Sequence, residues 1–139
     1  MASPRIEGDT LPSLTKTITQ SKIEQFESCG IIERENIHNN VDLAKKRLGT
    51  TYAIASGRMS VAFVSESLRK YFGPDVFNHS GSVSLKFLRP VKDGDILTIS
   101  GTIIHTETVD NGTRVTAEIN CENQDGNATA VGQGTAIIP

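Results

Sequence analysis

The side chains best suited to moving protons stand close together in one polar run, Glu33-Arg34-Glu35-Asn36-Ile37-His38-Asn39-Asn40. An ionised carboxylate can take a proton from water, and an imidazole titrates near neutrality, so the two types together suit general acid–base work. A second stretch, Ser56-Gly57-Arg58-Met59-Ser60, opens an apolar helical pattern. The first backbone N–H groups of a helix have no acceptor inside it, and the helix dipole favours negative charge there. Gly57 at such a start could donate to an oxygen that gains charge during a reaction, with Ser56 and Ser60 beside it to bind substrate. By residue type alone each has a plainer use. Glu33 can be a solvated loop charge, His38 a loop residue or cap, and Ser56 and Ser60 first-turn or capping residues.

The elements that must bring loop and helix together are legible from periodicity. Leu14 to Thr19 carries a weak strand pattern. Ser21-Lys22-Ile23-Glu24 matches a capping box, which predicts a helix over 21–29 with Ile23, Phe26 and Cys29 on one face and Gly30 as its stop. Asn40 is placed to cap a second helix over 41–48, closed by Gly49. Val61, Val64, Leu68 and Tyr71/Phe72 recur at helical spacing, and Ala62 and Phe63 widen the stripe. The spacing predicts a helix over 57–72, buried on most sides, ended by Gly73-Pro74. Four alternating stretches follow, 83–87, 97–103, 115–121 and 131–138, with turn chemistry between them at Lys92-Asp93-Gly94-Asp95, Asp110-Asn111-Gly112 and Asp125-Gly126-Asn127. Gly132 and Gly134, inside the last strand, indicate curvature or the close approach of another element. The fold class is α+β: one antiparallel sheet that must cover the apolar side of one long helix.

The composition bounds the function. A chain of 139 residues fits one domain, here 13–139, with 1–12 a loose arm. Net charge is −2 and no basic stripe with interleaved aromatics appears, which argues against nucleic acid. No apolar run is long enough for a membrane, and the first ten residues lack a signal core. Cys29 and Cys121 match no metal spacing and read as reduced core thiols of a cytoplasmic protein. The three Asn-x-Ser/Thr matches, at Asn78, Asn111 and Asn127, then read as chance. His38, His79 and His105 are too scattered for a metal site, and His79 and His105 read as structural residues in or near strands. Met59, Phe63 and Phe87 read as core.

The order of elements resembles the hot-dog fold, and three stretches resemble the MaoC-like family of R-specific enoyl-CoA hydratases and dehydratases. Glu33-Arg34-Glu35-Asn36-Ile37-His38 stands where that family has Asp-x-Asn-Pro-x-His. Ile54-Ala55-Ser56-Gly57-Arg58 resembles its Ile-Ala-His-Gly helix start. Phe87-Leu88-Arg89-Pro90-Val91-Lys92-Asp93-Gly94-Asp95 resembles its Phe-x-x-Pro-Val-x-x-Gly-Asp strand and turn. The resemblance implies a curved sheet wrapped around the helix at 57–72. It implies interconversion of 2-enoyl and 3-hydroxyacyl thioesters of CoA or acyl carrier protein, without metal or redox cofactor, in a homodimer or higher homo-oligomer. Glu33 and His38 become the catalytic pair, Gly57 the oxyanion donor, Ser56 and Ser60 substrate-binding residues, and Glu35 and Asn36 loop supports. The departures point to an unusual substrate: Glu33 replaces Asp, Glu35-Asn36 replaces Asn-Pro, and Ser56 replaces His. A shifted register would make Glu35 the acid. Two other readings stay open: an acyl-CoA thioesterase using Glu66 of the long helix, and a non-catalytic binding or dimerisation module.

Overall fold

The computed structural model describes residues 5–29 and 36–139. The chain runs β1 (Leu14–Thr17), α1 (Gln20–Ser28), α2 (Val41–Leu48), α3 (Gly57–Phe72), α4 (Pro74–Ser80), β2 (Ser82–Phe87), β3 (Ile96–Val109), β4 (Gly112–Glu122) and β5 (Ala128–Ile138). The strands form one antiparallel sheet in the order β1-β3-β4-β5-β2. This is the hot-dog arrangement, with the long helix against one face of the sheet.

Alternation explains the seam. Leu97, Ile99 and Ile103 of β3, Val115, Ala117, Ile119 and Cys121 of β4, and Ala130 and Ala136 of β5 are buried on the inner face. They join Met59, Val64, Leu68 and Phe72 of α3 in one core. β5 approaches α3 closely at Gly134: a Cβ there would lie 2.5 Å from Leu68 Cδ1. Gly132 answers a different neighbour, since its Cβ would lie 1.9 Å from the Ser84 carbonyl oxygen of β2. Both glycines therefore mark close approach, one by helix and one by strand.

Several boundaries differ from the sequence expectation. Thr19, not Ser21, caps α1, its Oγ1 accepting from the Lys22 N–H at 3.1 Å. The Ile18 N–H donates to the Asp95 carbonyl at 2.8 Å, so the extended run reaches Thr19, and the helix starts at once behind it. Cys29 becomes the exposed C-cap of α1 and not a core thiol, whereas Cys121 is buried, its thiol pushed up to about 11 by desolvation. Asn40 and Gly49 bracket α2 as expected, Asn40 Oδ1 accepting from the Leu43 N–H. α3 spans 57–72 as expected, but Ala62 is exposed and Phe63 only half-buried, so the helix buries one face rather than most of its surface. Gly73-Pro74 stops α3 and also starts α4, with Pro74 in its first turn, a position that needs no N–H. His79 lies in the last turn of α4, three residues before β2.

The stretch expected as a loose arm is tied to the sheet from Gly8 onward. The Gly8 and Leu11 N–H groups donate to the carbonyls of Ile103 and Gly101, and Ile103 donates to Asp9. Asp9 also accepts from the Tyr71 hydroxyl at 2.8 Å, and Leu11 is buried. Burial first, and then the bond to Asp9, push the Tyr71 hydroxyl well above the usual phenol range.

Candidate functional site

His38 sits on a turn built from asparagines. Asn36 Oδ1 accepts the N–H groups of His38 at 2.8 Å and of Asn39 at 3.2 Å, and Asn39 Oδ1 accepts the N–H of Asn36 at 2.7 Å. An asparagine side chain imitates a backbone turn in this way, which suits a short loop between two helices. The turn is then fastened from two directions. The Gln20 amide of α1 donates to the His38 carbonyl at 3.2 Å, and the Ile54 N–H donates to the Ile37 carbonyl at 3.2 Å.

The ring itself is oriented. His38 Nδ1 lies 2.8 Å from the Ile54 carbonyl oxygen. A carbonyl only accepts, so Nδ1 carries the proton and Nε2 is the nitrogen left to exchange one with a neighbour. The Ile54 carbonyl precedes α3 by a few residues, so one contact ties the imidazole to the lead-in of that helix.

α3 begins as expected. Ser56 is its N-cap, with Oγ accepting from the Arg58 N–H at 3.3 Å. This is the capping task that residue type alone gave Ser56. Gly57 is the first helical residue, and its N–H has no acceptor within the helix. A Cβ on Gly57 would lie 2.7 Å from the Phe87 ring, so glycine lets that ring close over the helix start. Ser60, one turn on, is buried.

These residues share one cavity of about 700 Å³. His38, Ser56, Gly57 and Ser60 line it together. The opposite wall is Phe87, Leu88, Arg89, Pro90 and Val91, which leaves β2 and is anchored by the Ala55 N–H donating to the Val91 carbonyl at 2.6 Å. Phe87 is thus 52% exposed and forms the cavity wall, where the sequence expectation put it in the core. Glu33 and Glu35 lie outside the described residues. Asn36 holds the His38 turn through its side-chain oxygen.

Two polar residues at the site escaped the sequence reading. Gln20 is one. Glu27 is the other: it is 7% exposed, and its Oε2 accepts from the Asn36 amide at 3.2 Å, while Oε1 is buried without a hydrogen-bond partner among the described residues. The available signal was position, since Glu27 follows the buried Ile23 by one helical turn and so shares its inward face. Glu66, the acid of the thioesterase reading, is absent from the cavity wall and is held by Lys16, Nζ to Oε2 at 2.6 Å, which keeps its carboxyl below the usual range. Among the described residues no group of His, Cys, Asp and Glu could hold a metal ion, and no helix is long and apolar enough to cross a membrane.

No protein-family model matches the chain, and no curated protein does. Solved structures do. The R-hydratase PhaJ1 of Pseudomonas aeruginosa matches over 97% of this chain and 83% of its own, at 23% identity and a TM-score of 0.76. The (R)-hydratase of A. caviae involved in PHA biosynthesis matches over 99% of this chain and 100% of its own, at 17% identity and a TM-score of 0.79. The MaoC-like dehydratase of Rhodospirillum rubrum matches over 96% and 92%, at 18% identity and a TM-score of 0.77. The chain has the hot-dog fold of the MaoC-like proteins, along nearly its whole length.

Proposed function

We propose that the protein is a hydratase or dehydratase that interconverts 2-enoyl and 3-hydroxyacyl thioesters of CoA or acyl carrier protein. The observation that carries this reading is the oriented imidazole: Nδ1 of His38 is fixed on the Ile54 carbonyl, and the same cavity holds the free end of α3. In hydration the water oxygen bonds to the beta carbon and a proton is added to the alpha carbon. Glu33 takes the proton that water loses, and His38, entering the step as the imidazolium with its second proton on Nε2, delivers that proton to the alpha carbon; transfer of the Glu33 proton back to Nε2 restores both groups. The Gly57 N–H donates to the thioester oxygen as it gains enolate charge. Ser60 and Ser56 border the bound thioester, and Glu35 supports the loop beside Asn36. The step asks for no metal or redox cofactor. The reading also expects a homodimer or larger homo-oligomer, working in the cytoplasm.

A panel of short 2-enoyl-CoA thioesters, neutral and carboxylated, followed by mass, tests this. Gain of one water per turnover is the expected result, and Glu33→Gln and His38→Ala should each lower turnover by about 10²–10⁴-fold, the usual share of a proton-transfer group. Full hydratase activity in both variants would overturn the assignment. Release of free CoA would replace it with a thioesterase, and no conversion of any member with a non-catalytic binding module.

A further inference from the structure

The cavity wall carries two cations that the proposed chemistry does not use. Among the described residues of its wall stand two arginines, Arg58 and Arg89, and no aspartate or glutamate. Three other cations are matched with carboxylates: Lys16 with Glu66, Lys92 with Asp95 and Arg114 with Glu107. Arg58 and Arg89 have no carboxylate partner among the described residues, in a chain whose net charge is −2.

Both are nevertheless placed. Arg89 Nη1 donates to the Ala128 carbonyl at 2.7 Å, and Arg58 Nε lies 3.5 Å from Ser56 Oγ. A guanidinium has five N–H donors in a fixed fork, so one anchoring contact leaves a pair able to grip a carboxylate side-on. The location narrows which anion is meant. Arg58 follows Gly57 directly, and its Nε stays by the cap of the same helix start. On the hydratase reading this is the thioester end of the substrate, the end that carries the acyl group. Phe87, Leu88 and Val91 supply apolar surface for the hydrocarbon between.

We propose that the cavity selects acyl groups bearing a second anion, so that the substrate class is a short 2-enoyl thioester with a carboxylate, bound through Arg58 and Arg89. The identity of the thioester rests on the hydratase reading above; the anion preference rests on the two arginines.

The test uses N-acetylcysteamine thioesters, which carry no phosphate. The fumaryl monothioester and the crotonyl thioester match in carbon count and differ by the terminal carboxylate. Hydration of the fumaryl compound should exceed that of the crotonyl compound in kcat/KM by about tenfold or more, the scale of one well-formed guanidinium–carboxylate pair. Arg58→Gln and Arg89→Gln should each reduce that ratio to about threefold or less. Equal use of the two compounds, or a preference that survives both substitutions, overturns the proposal. If neither compound is hydrated, the hydratase reading fails and binding decides separately. Calorimetric titration with the saturated succinyl and butyryl thioesters should then show about tenfold tighter binding of succinyl to the unsubstituted protein and none of that difference in the arginine variants. Equal affinity, or no detectable binding of either, overturns it. An arginine-dependent gain seen only on moving to the CoA thioesters, with the acyl carboxylate silent, would assign the arginines to the carrier phosphate and also overturn it.

Discussion

The seat of α3 on the sheet can be tested by a pair of substitutions that should help or harm depending on each other. Leu68 is fully buried, 0% exposed, and its methyl groups occupy the space in front of Gly134, where a Cβ would lie 2.5 Å from Cδ1 and 3.0 Å from Cδ2. Gly134→Ala alone must push a hemmed-in leucine aside. Overpacking of that kind costs about 1–3 kcal/mol, offset by about 0.4–1 kcal/mol from the stiffer unfolded chain, so the net loss should be about 1–2 kcal/mol. Leu68→Ala alone removes buried methyl groups and leaves a cavity, a loss of about 2–5 kcal/mol. In the Leu68→Ala background the obstruction is gone. Gly134→Ala then keeps its benefit to the unfolded-state entropy and fills part of the cavity, so it should stabilise by about 0.4–1 kcal/mol. The sign reverses, and the coupling is about 1.5–3 kcal/mol. Urea unfolding of the four proteins, analysed by linear extrapolation, measures it. If Gly134→Ala destabilises both backgrounds equally, within about 0.5 kcal/mol, then Leu68 does not seat the helix on β5. The seat matters for function because α3 carries Gly57 and Ser60 into the cavity that His38 shares.

Two further outcomes follow. Burial raises the pKa of the Asp95 carboxyl, but bonds from Gln124 and from the Lys92 N–H and ammonium, at 3.0–3.1 Å, outweigh it and hold the group below the usual carboxylate range. Its contribution is therefore full above the unfolded-state value near pH 4 and lost as the pH falls through the lower folded value, so Asp95→Asn should cost about 1.5–3 kcal/mol at pH 7 and flatten the acid limb of the stability profile, as read from urea midpoints between pH 7 and pH 3. Glu27→Leu should lower kcat several-fold at nearly constant KM while moving stability by less than about 1 kcal/mol, because a half-satisfied buried carboxylate exchanges for an apolar group almost evenly. Glu27→Gln, which keeps an acceptor for Asn36, should restore kcat. Unchanged kcat in the leucine variant would show that Asn36 needs no such support.

Periodic elements were readable because their signals are local. α3 is bounded by a capping serine and a glycine that turns the chain at φ +89°, and both are visible in the sequence. The hairpins at Asp110-Asn111-Gly112 and Asp125-Gly126-Asn127 were readable for the same reason, and β3–β4 and β4–β5 pair as those turns require. The misreadings all concern tertiary position. Phe87 looks like core by type, yet β2 is an edge strand whose end swings out to make a cavity wall. Cys29 shares a helical face with Ile23 and Phe26 by spacing, yet α1 ends a residue earlier and turns it to solvent. Residues 5–12 have loop composition, yet their backbone is drawn onto β3, because a strand of fourteen residues offers hydrogen-bonding groups beyond the reach of β1.

The division between a functional loop and a structural turn does not survive the geometry. By type, Lys92-Asp93-Gly94-Asp95 is turn chemistry and the asparagine-rich loop is the chemical piece. Yet Asp93 Oδ1 accepts the Gln20 N–H at 3.0 Å, and the side chain of that same Gln20 donates to the His38 carbonyl. Beside it, Val91 accepts the Ala55 N–H, one residue past the carbonyl that fixes the His38 ring. The turn, with Val91 beside it, thus braces both the His38 turn and the lead-in to α3. A loop without a proline can hold its imidazole by this external bracing. Gln20, Glu27 and Asp93 do from outside what a rigid proline would do from within. The orientation of the His38 ring therefore rests on contacts from α1, from the turn after β2 and from the lead-in to α3.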